Sequence, residues 1–298
     1  MCVTRSVNPG ILAATLVLSA AVALPTPAAK ARGTALQGDA QAARPQEAPA
    51  TDTPTDGPAD RAAPRTDQHS MIAHAQLLEK AKQGRIDVYF EGDSIVRRWG
   101  ALDYPELLAN WRANFFGWNA ANFGWGADRT QNILWRLENG ELDGVSPKVI
   151  VLLAGTNNAG TQLRDEQTVA EIARGIKAII DICRQKASNA TIILTAIFPR
   201  NDNMAVMPTI NRINEKLAGL ADGTRVRFLT INDRLADSEG RLFDGVLNER
   251  DKLHPTIKGY QIWADALKPI FRELLGPPGT TDLAPPPTGD PSAARRLQ

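Results

Sequence analysis

Apolar runs and helical patterns alternate along the middle of the chain. Mostly apolar, often β-branched runs predict five strands, at Asp87–Phe90, Asn119–Phe123, Val149–Leu153, Thr191–Phe198 and Val226–Ile231. Apolar residues at three- and four-residue spacing predict helices at Met71–Lys82, Asp128–Glu138, Val169–Lys186, Met207–Leu220 and Ile257–Leu275. Because the strand runs are almost continuously apolar, we expect strands buried on both faces, as in a parallel sheet covered by helices. The pattern predicts a single α/β domain, a three-layer α/β/α sandwich.

Residues 1–31 have the pattern of an export signal. Arg5 lies in a short polar start, an apolar run extends from Ile11 to Leu24, and Ala29-Lys30-Ala31 offers a cleavage site. The apolar run is shorter than the about 20 helical residues that cross a bilayer. We therefore predict a secreted or periplasmic protein with no integral membrane segment once the signal is removed. A retained membrane anchor is the alternative.

Two further stretches are too poor in large apolar residues to form a core. Residues 32–69 are rich in alanine and proline, and residues 276–298 are rich in proline. Such composition cannot bury enough apolar surface to offset the entropy of ordering. We expect a disordered linker at 32–69 and a disordered tail at 276–298, which leaves residues 70–275 as the folded domain.

Charge and composition exclude several classes of function. The chain carries 34 basic and 33 acidic residues, a net charge of +1, whereas binding to nucleic acid or to an anionic membrane requires a basic excess. Two cysteines, Cys2 and Cys183, are too few for a disulfide scaffold or a structural zinc site. A phosphate-binding G-x-x-x-x-G-K-[S/T] loop and an H-E-x-x-H zinc motif are both absent from the sequence. We expect no metal, no cofactor and no nucleic-acid partner.

A serine and a histidine stand where an α/β sheet places its chemistry, at the carboxyl ends of strands. Ser94 follows the first predicted strand directly, in Gly92-Asp93-Ser94, and His254 precedes the last predicted helix, in Asp251-Lys252-Leu253-His254. In a D-x-x-H turn the carboxylate can bond one ring nitrogen of the histidine and leave the other facing a serine. Taken singly, Ser94 could be only a helix cap, and Asp251 and His254 only a capped loop.

Two other loops offer donors for a developing oxyanion. Gly155-Thr156-Asn157-Asn158 ends the third predicted strand, and the Asn157 amide can donate a hydrogen bond to negative charge. Asparagine is also common in such loops because it tolerates turn conformations. The turn from Asn122 to Asp128 leads into a helix, whose first backbone N–H groups can receive an anion.

Together these blocks resemble the SGNH (GDSL) hydrolase family, in particular the branch that contains the catalytic subunits of the small platelet-activating-factor acetylhydrolases. The resembling stretches are Gly92-Asp93-Ser94, Asn122-Phe123-Gly124, residues 134–142, residues 155–158, and Leu253-His254 followed by Gly259-Tyr260. The resemblance covers about residues 86–275. It implies a flavodoxin-like five-stranded parallel sheet in the order 2-1-3-4-5.

The resemblance also implies the roles of the site residues. Ser94 would be the nucleophile, His254 the base and Asp251 its orienting partner. The oxyanion would receive the backbone N–H of Ser94, a backbone N–H of the second block and the Asn157 side chain. The family usually has glycine where this chain has Ala127. Alanine retains the backbone N–H, so we assign this donor to Ala127. The backbone N–H of the neighbouring Gly126 is the second candidate.

Aromatic residues lead to a prediction about the substrate. Trp99 and Trp125 flank the catalytic blocks and are predicted to line an acyl or sugar pocket, although tryptophans are more often core residues. The segment from Ile95 to Trp118 is predicted to be a loop whose rings wall the pocket and exclude long acyl chains. Arg97 and Arg98 are expected at the surface rather than against a substrate anion.

The sequence therefore predicts a secreted, metal-independent serine esterase that removes acetyl or other small acyl groups, with an acetylated carbohydrate as substrate. One alternative is an acetylhydrolase or lysophospholipase that acts on phospholipids of the platelet-activating-factor type. An alternative of another class is a non-catalytic glycan-binding module with the same fold. The oligomeric state is left open.

Overall fold

Five parallel strands form one sheet in the order β2-β1-β3-β4-β5, which confirms the predicted fold. The computed structural model describes residues 57–289 and 291. The strands are β1 (Val88–Gly92), β2 (Ala120–Asn122), β3 (Val149–Leu153), β4 (Thr191–Thr195) and β5 (Val226–Leu229). In the register of the sheet, Gly92 pairs with Leu153. The carboxyl ends of β1 and β3 therefore lie side by side, which places the loops after them next to each other.

Helices cover both faces of the sheet and make two apolar cores. The helices are α1 (Gln68–Ala81), α2 (Ser94–Gly100), α3 (Pro105–Phe115), α4 (Thr130–Arg136), α5 (Thr156–Ala159), α6 (Glu166–Lys186), α7 (Met207–Ala218), α8 (Asn232–Leu235) and α9 (Ile257–Leu275). One face of the sheet packs against α1, α4, α6 and α7. The other face packs against α2, α3 and α9. Because successive strand residues such as Tyr89 and Phe90 enter opposite cores, the strands read as continuously apolar.

The segment from Ile95 to Trp118 is helical, so the prediction of a loop is wrong there. It contains most of α2 and all of α3. The rings of Trp99, Trp111 and Phe115 are buried in the core beside α9, whereas Phe116 is exposed. These buried rings fill the core instead of forming a wall over the carboxyl ends of the strands.

The folded unit also extends beyond the predicted boundaries of 70–275. Near its start, Ala59 N–H donates to the Glu171 side chain at 2.9 Å and Ala59 O accepts from Thr130 Oγ1 at 2.7 Å. Near its end, Arg85 N–H donates to Leu283 O at 2.8 Å. These contacts satisfy backbone polar groups and need little apolar surface, so composition did not reveal them. The predicted signal at 1–31 and residues 32–56 of the predicted linker lie outside the described residues.

Within the part of the chain that the structure describes, no helix combines the length and apolar content needed to cross a membrane.

Candidate active site

Ser94 is held at the junction between the first strand and the helix that follows. Asp93 caps α2, since its Oδ1 accepts from the Ile95 N–H at 2.9 Å, and Ser94 is the first residue of the helix. Gly92 permits the tight turn, because a Cβ there would lie 2.2 Å from the Leu153 carbonyl oxygen and 2.5 Å from Val96 Cγ2. The Ser94 side chain therefore emerges at the carboxyl end of β1.

A continuous chain of hydrogen bonds links Ser94 to His254 and Asp251. Ser94 Oγ lies 2.8 Å from His254 Nε2, and His254 Nδ1 lies 2.9 Å from Asp251 Oδ2. Ser94 and His254 are each 7% exposed, so both are largely shielded from solvent. The structure thus brings together the three residues that the sequence selected from loops 160 positions apart.

The loop of Asp251 fixes the orientation of its carboxylate. Its Oδ1 accepts from the backbone N–H groups of Leu253 and His254, each at 3.0 Å. Partial burial raises the pKa of Asp251, but the hydrogen bonds from His254 and the backbone outweigh it and hold the pKa well below its usual range. An ionised Asp251 accepts the Nδ1 proton, which leaves Nε2 able to accept a proton from the Ser94 hydroxyl.

The loop after β2 (residues 123–129, the second loop) and the segment after β3 meet at the carboxyl end of β1, the strand that leads to Ser94. Asn157 lies in α5, directly after β3, and its Nδ2 donates to the Asp128 carbonyl oxygen at 2.8 Å. Since an amide carries two N–H donors, this bond fixes the amide and leaves a second N–H for another acceptor. Trp125 N–H donates to the Gly92 carbonyl oxygen at 3.0 Å, which holds the second loop against the end of β1.

Ala127 adopts a backbone conformation that favours glycine. Its φ is +62°, in the left-handed region, where an L-residue with a Cβ is strained. Its neighbour Gly126, whose φ is negative, accepts a hydrogen bond from Arg65 through its carbonyl oxygen. The conformation agrees with the expectation that glycine suits position 127.

We expect Ala127→Gly to stabilise the protein by about 0.5–1 kcal/mol, because relief of the strain exceeds the added entropy of the unfolded chain. Hydrolysis of a short-chain ester, the activity expected from the sequence, should stay within about twofold, since glycine keeps the backbone N–H of position 127. Urea unfolding measures the change in stability. Ala170→Gly within α6 is the matched control, and it should destabilise by about 1 kcal/mol. An equal loss of stability in both variants would contradict the argument.

A buried group of charges lies behind the second loop, and sequence reasoning missed it. Arg136 donates from Nε to Asp128 Oδ2 at 2.7 Å and from Nη2 to Glu91 Oε1 at 2.7 Å, and it also bonds Glu141. Burial raises the pKa of Asp128 to about 6, although Arg136 opposes the rise. Arg136 therefore ties the strand before Ser94 to the loop after Ala127. The signal was present in the stretch 134–142, which carried the resemblance without an assigned role.

The two tryptophans predicted to line a pocket lie in the protein interior. Trp99 is 0% exposed and stacks on Tyr260 and Trp263. Trp125 is 2% exposed, with the Arg97 guanidinium 4.7 Å from its ring centre. The core interpretation therefore replaces the pocket interpretation for both rings.

The two neighbouring arginines differ in their exposure. Arg97 is 3% exposed and pairs with Asp103 at 2.9 Å. The Arg98 side chain is 17% exposed. The expectation of a surface role was wrong for Arg97, because α2, whose existence the sequence did not reveal, turns its side chain inward, whereas Arg98 is partly exposed.

Comparison with known proteins agrees with the geometry. A model described as the GDSL-like Lipase/Acylhydrolase family matches residues 90–262. The chain is 31% identical over 207 residues to platelet-activating factor acetylhydrolase IB subunit alpha1 of Homo sapiens, covering 69% of this chain and 84% of that protein. It is 33% identical over 211 residues to subunit alpha2 of Rattus norvegicus, covering 70% and 86%.

Solved structures share the fold. A protein from Streptococcus pneumonia described as a candidate platelet activating factor superposes with a TM-score of 0.55 at 25% identity, covering 68% of this chain and 92% of that one. A GDSL-like lipase from Bacteroides thetaiotaomicron gives a TM-score of 0.53 at 18% identity, covering 70% and 98%. The chain belongs to the GDSL-like lipase/acylhydrolase family. It is a carboxylic ester hydrolase.

Proposed function

We propose that this protein hydrolyses short-chain acyl esters, above all acetyl esters, with Ser94 as nucleophile, His254 as general base and Asp251 as the partner that orients His254. The observation that carries the proposal is the pair of hydrogen bonds of 2.8 Å and 2.9 Å along Ser94, His254 and Asp251. A serine hydroxyl is a weak nucleophile until such a base removes its proton.

In the proposed reaction Ser94 Oγ bonds to the ester carbonyl carbon while its proton passes to His254 Nε2. The carbonyl π electrons move onto oxygen, and the resulting oxyanion accepts hydrogen bonds from the backbone N–H groups of Ser94 and Ala127 and from the Asn157 amide. Collapse breaks the bond to the leaving alcohol, which takes the proton from His254. Water then attacks the acyl group on Ser94 by the same steps and releases the acid.

The preference for acetyl is supported by the relatives and not by the tryptophans. The relatives at 31% and 33% identity are named as acetylhydrolases. Except for Phe116, which is exposed, the rings that the sequence placed around the acyl group are buried in the core. The preference for a short acyl group therefore rests on the similarity alone.

We expect kcat/KM to be highest for acetyl or propionyl esters of p-nitrophenol and to fall steeply by octanoyl. Each methylene that the site cannot bury forfeits up to about 0.8 kcal/mol, and forced overpacking adds strain. The rates are measured at equal enzyme concentration, with Ser94→Ala as the blank for uncatalysed hydrolysis. A flat or rising profile from two to eight carbons would instead indicate a lipase or thioesterase.

Two classes of substrate are candidates for the alcohol that carries the acetyl group. The names of the relatives favour a phospholipid of the platelet-activating-factor type. An acetylated carbohydrate is the candidate from the sequence, supported by the predicted export. Acetate release from an acetylated xylan and from platelet-activating factor, measured side by side, separates them. The substrate with the larger kcat/KM by at least about tenfold identifies the acceptor.

Export is part of the proposal and rests on residues 1–31, with their polar start, apolar run and Ala29-Lys30-Ala31 site. Expression of the full chain in a bacterial host, followed by mass spectrometry of the extracellular and periplasmic fractions, tests it. A mature N-terminus near residue 32 is expected. Recovery of the intact chain from the cytoplasm would contradict it.

A further inference from the structure

Arg98 reaches the same carboxylate oxygen that holds His254. Its Nη1 donates to Asp251 Oδ2 at 3.3 Å, and this oxygen also accepts from His254 Nδ1 at 2.9 Å. The other oxygen of Asp251 is taken up by two backbone N–H groups of its own loop. Asp251 is 35% exposed and Arg98 17%, so the pair is only partly open to solvent.

The position of Arg98 on α2 relates it directly to Ser94. Ser94 is the first residue of this helix, and Arg98 follows four residues later. Residues at this spacing lie on the same face of a helix, one turn apart. The hydrogen bonds Ser94–His254, His254–Asp251 and Asp251–Arg98 therefore form a path that leaves α2 and returns to it. One short helix fixes both ends of the path.

We propose that Arg98 is a positioning residue, which anchors Asp251 to the helix of the nucleophile and limits how strongly Asp251 stabilises a protonated His254. The inference rests on the proposed function for its effect on the reaction. A cation beside Asp251 offsets part of the attraction between the carboxylate and an imidazolium. Arg98 thereby favours the neutral histidine, which is the form that can act as a base.

Other contacts keep the guanidinium in place. Its central carbon lies 5.4 Å from the centre of the Tyr104 ring, a distance at which a cation is attracted to the face of an aromatic ring. Arg98 is thus held by Asp251 on one side and by the ring of Tyr104, in the loop after α2, on the other.

Several titratable groups lie around His254 and bear on its titration. On its own loop they are Glu249, Arg250, Asp251 and Lys252, of which Lys252 pairs with Glu249. From the packed elements they are Asp93 and Arg98 at the two ends of α2, Tyr104, and Tyr260. Burial raises the pKa of Asp93 to about 7. A comparison of variants at position 98 alone leaves all the other groups unchanged.

The first measurement is an NMR titration of the His254 ring, which does not depend on ester hydrolysis. The chain has only three histidines, so His254→Gln identifies the signal. We expect the midpoint to rise by about 0.5–1 pH unit in Arg98→Met and to stay at the wild-type value in Arg98→Lys, which keeps the charge. Arg184→Met, an exposed arginine on α6, is the matched control and should leave the midpoint unchanged.

The second measurement is the pH dependence of hydrolysis. In Arg98→Met the acidic limb of kcat/KM should move up by the same amount, and kcat should fall about tenfold at the optimum with KM within twofold, because the base is less well oriented. Arg98→Lys should return the acidic limb of kcat/KM to its wild-type position.

The outcomes separate the inference from the proposed function. An unchanged His254 midpoint in folded Arg98→Met, or an equal rise in Arg98→Met and Arg98→Lys, overturns the role of Arg98 whatever the enzyme hydrolyses. A midpoint that rises only in Arg98→Met, in a wild-type protein without esterase activity, upholds the effect of Arg98 on His254 and refutes the proposed function.

Discussion

Ser94→Ala is expected to lower kcat/KM for a short-chain ester by at least about 10⁴-fold. The variant lacks the atom that would form the acyl intermediate, and the remaining groups can only assist water. Burst kinetics with a p-nitrophenyl ester should show no acyl-enzyme in the variant. Hydrolysis at the wild-type rate by purified Ser94→Ala would refute the assignment of the nucleophile.

The loss should be specific because Ser94 contributes little to the fold. The cap of α2 is made by Asp93, and alanine is well accepted in the first turn of a helix. Ser94→Ala should therefore unfold within about 1 kcal/mol of the wild type. Ser146→Ala is the matched control, since this exposed serine precedes β3 at the opposite end of the sheet. It should retain full activity.

The sheet and the three principal site residues could be predicted from sequence because their signals are local. Val149–Leu153 was predicted with its observed bounds, since a strand buried on both faces has a continuous apolar run. Ser94, Asp251 and His254 stand next to strand or helix ends, and the topology of a parallel sheet gathers such ends on one edge.

Helix α2 was missed for a physical reason, whereas α3 does carry Leu108, Trp111 and Phe115 at helical spacing. The seven residues of α2 include two arginines and a tryptophan, all with inward contacts, so no polar face marks the helical period. Their place in the fold is set by long-range partners, such as Asp251 for Arg98. A window of local sequence does not contain those partners.

The buried charges were missed for a related reason. Arg136 forms ion pairs with Glu91, Asp128 and Glu141, which come from β1, the loop before α4 and the short helical segment Leu137–Glu141. Charged residues are usually exposed, and only the folded chain shows that these three carboxylates meet at one buried arginine. The left-handed conformation of Ala127 could likewise not be predicted from the sequence, because an alanine gives no sign of a positive φ.

Asn157→Ala is expected to lower kcat by about 10²- to 10³-fold with little change in KM. A preorganised donor aimed at the developing oxyanion contributes roughly 3 kcal/mol in the transition state, and the neutral carbonyl of the bound ester needs it less. The 2.8 Å bond from Nδ2 to Asp128 O holds the amide in place before substrate arrives, which is the condition for such a contribution. Steady-state kinetics with an acetyl ester measures both constants.

The neighbouring asparagine provides the control for this last prediction. Asn158 accepts from Thr130 N–H at 2.9 Å and donates to the Gln131 side chain at 2.9 Å, so it fastens the start of α4. Asn158→Ala should therefore cost about 1 kcal/mol of stability and change kcat by no more than a few-fold. Asn157→Ala should therefore lower kcat, whereas Asn158→Ala should lower mainly the stability. A large rise in KM with kcat intact in Asn157→Ala would make Asn157 a substrate-binding residue and not an oxyanion donor.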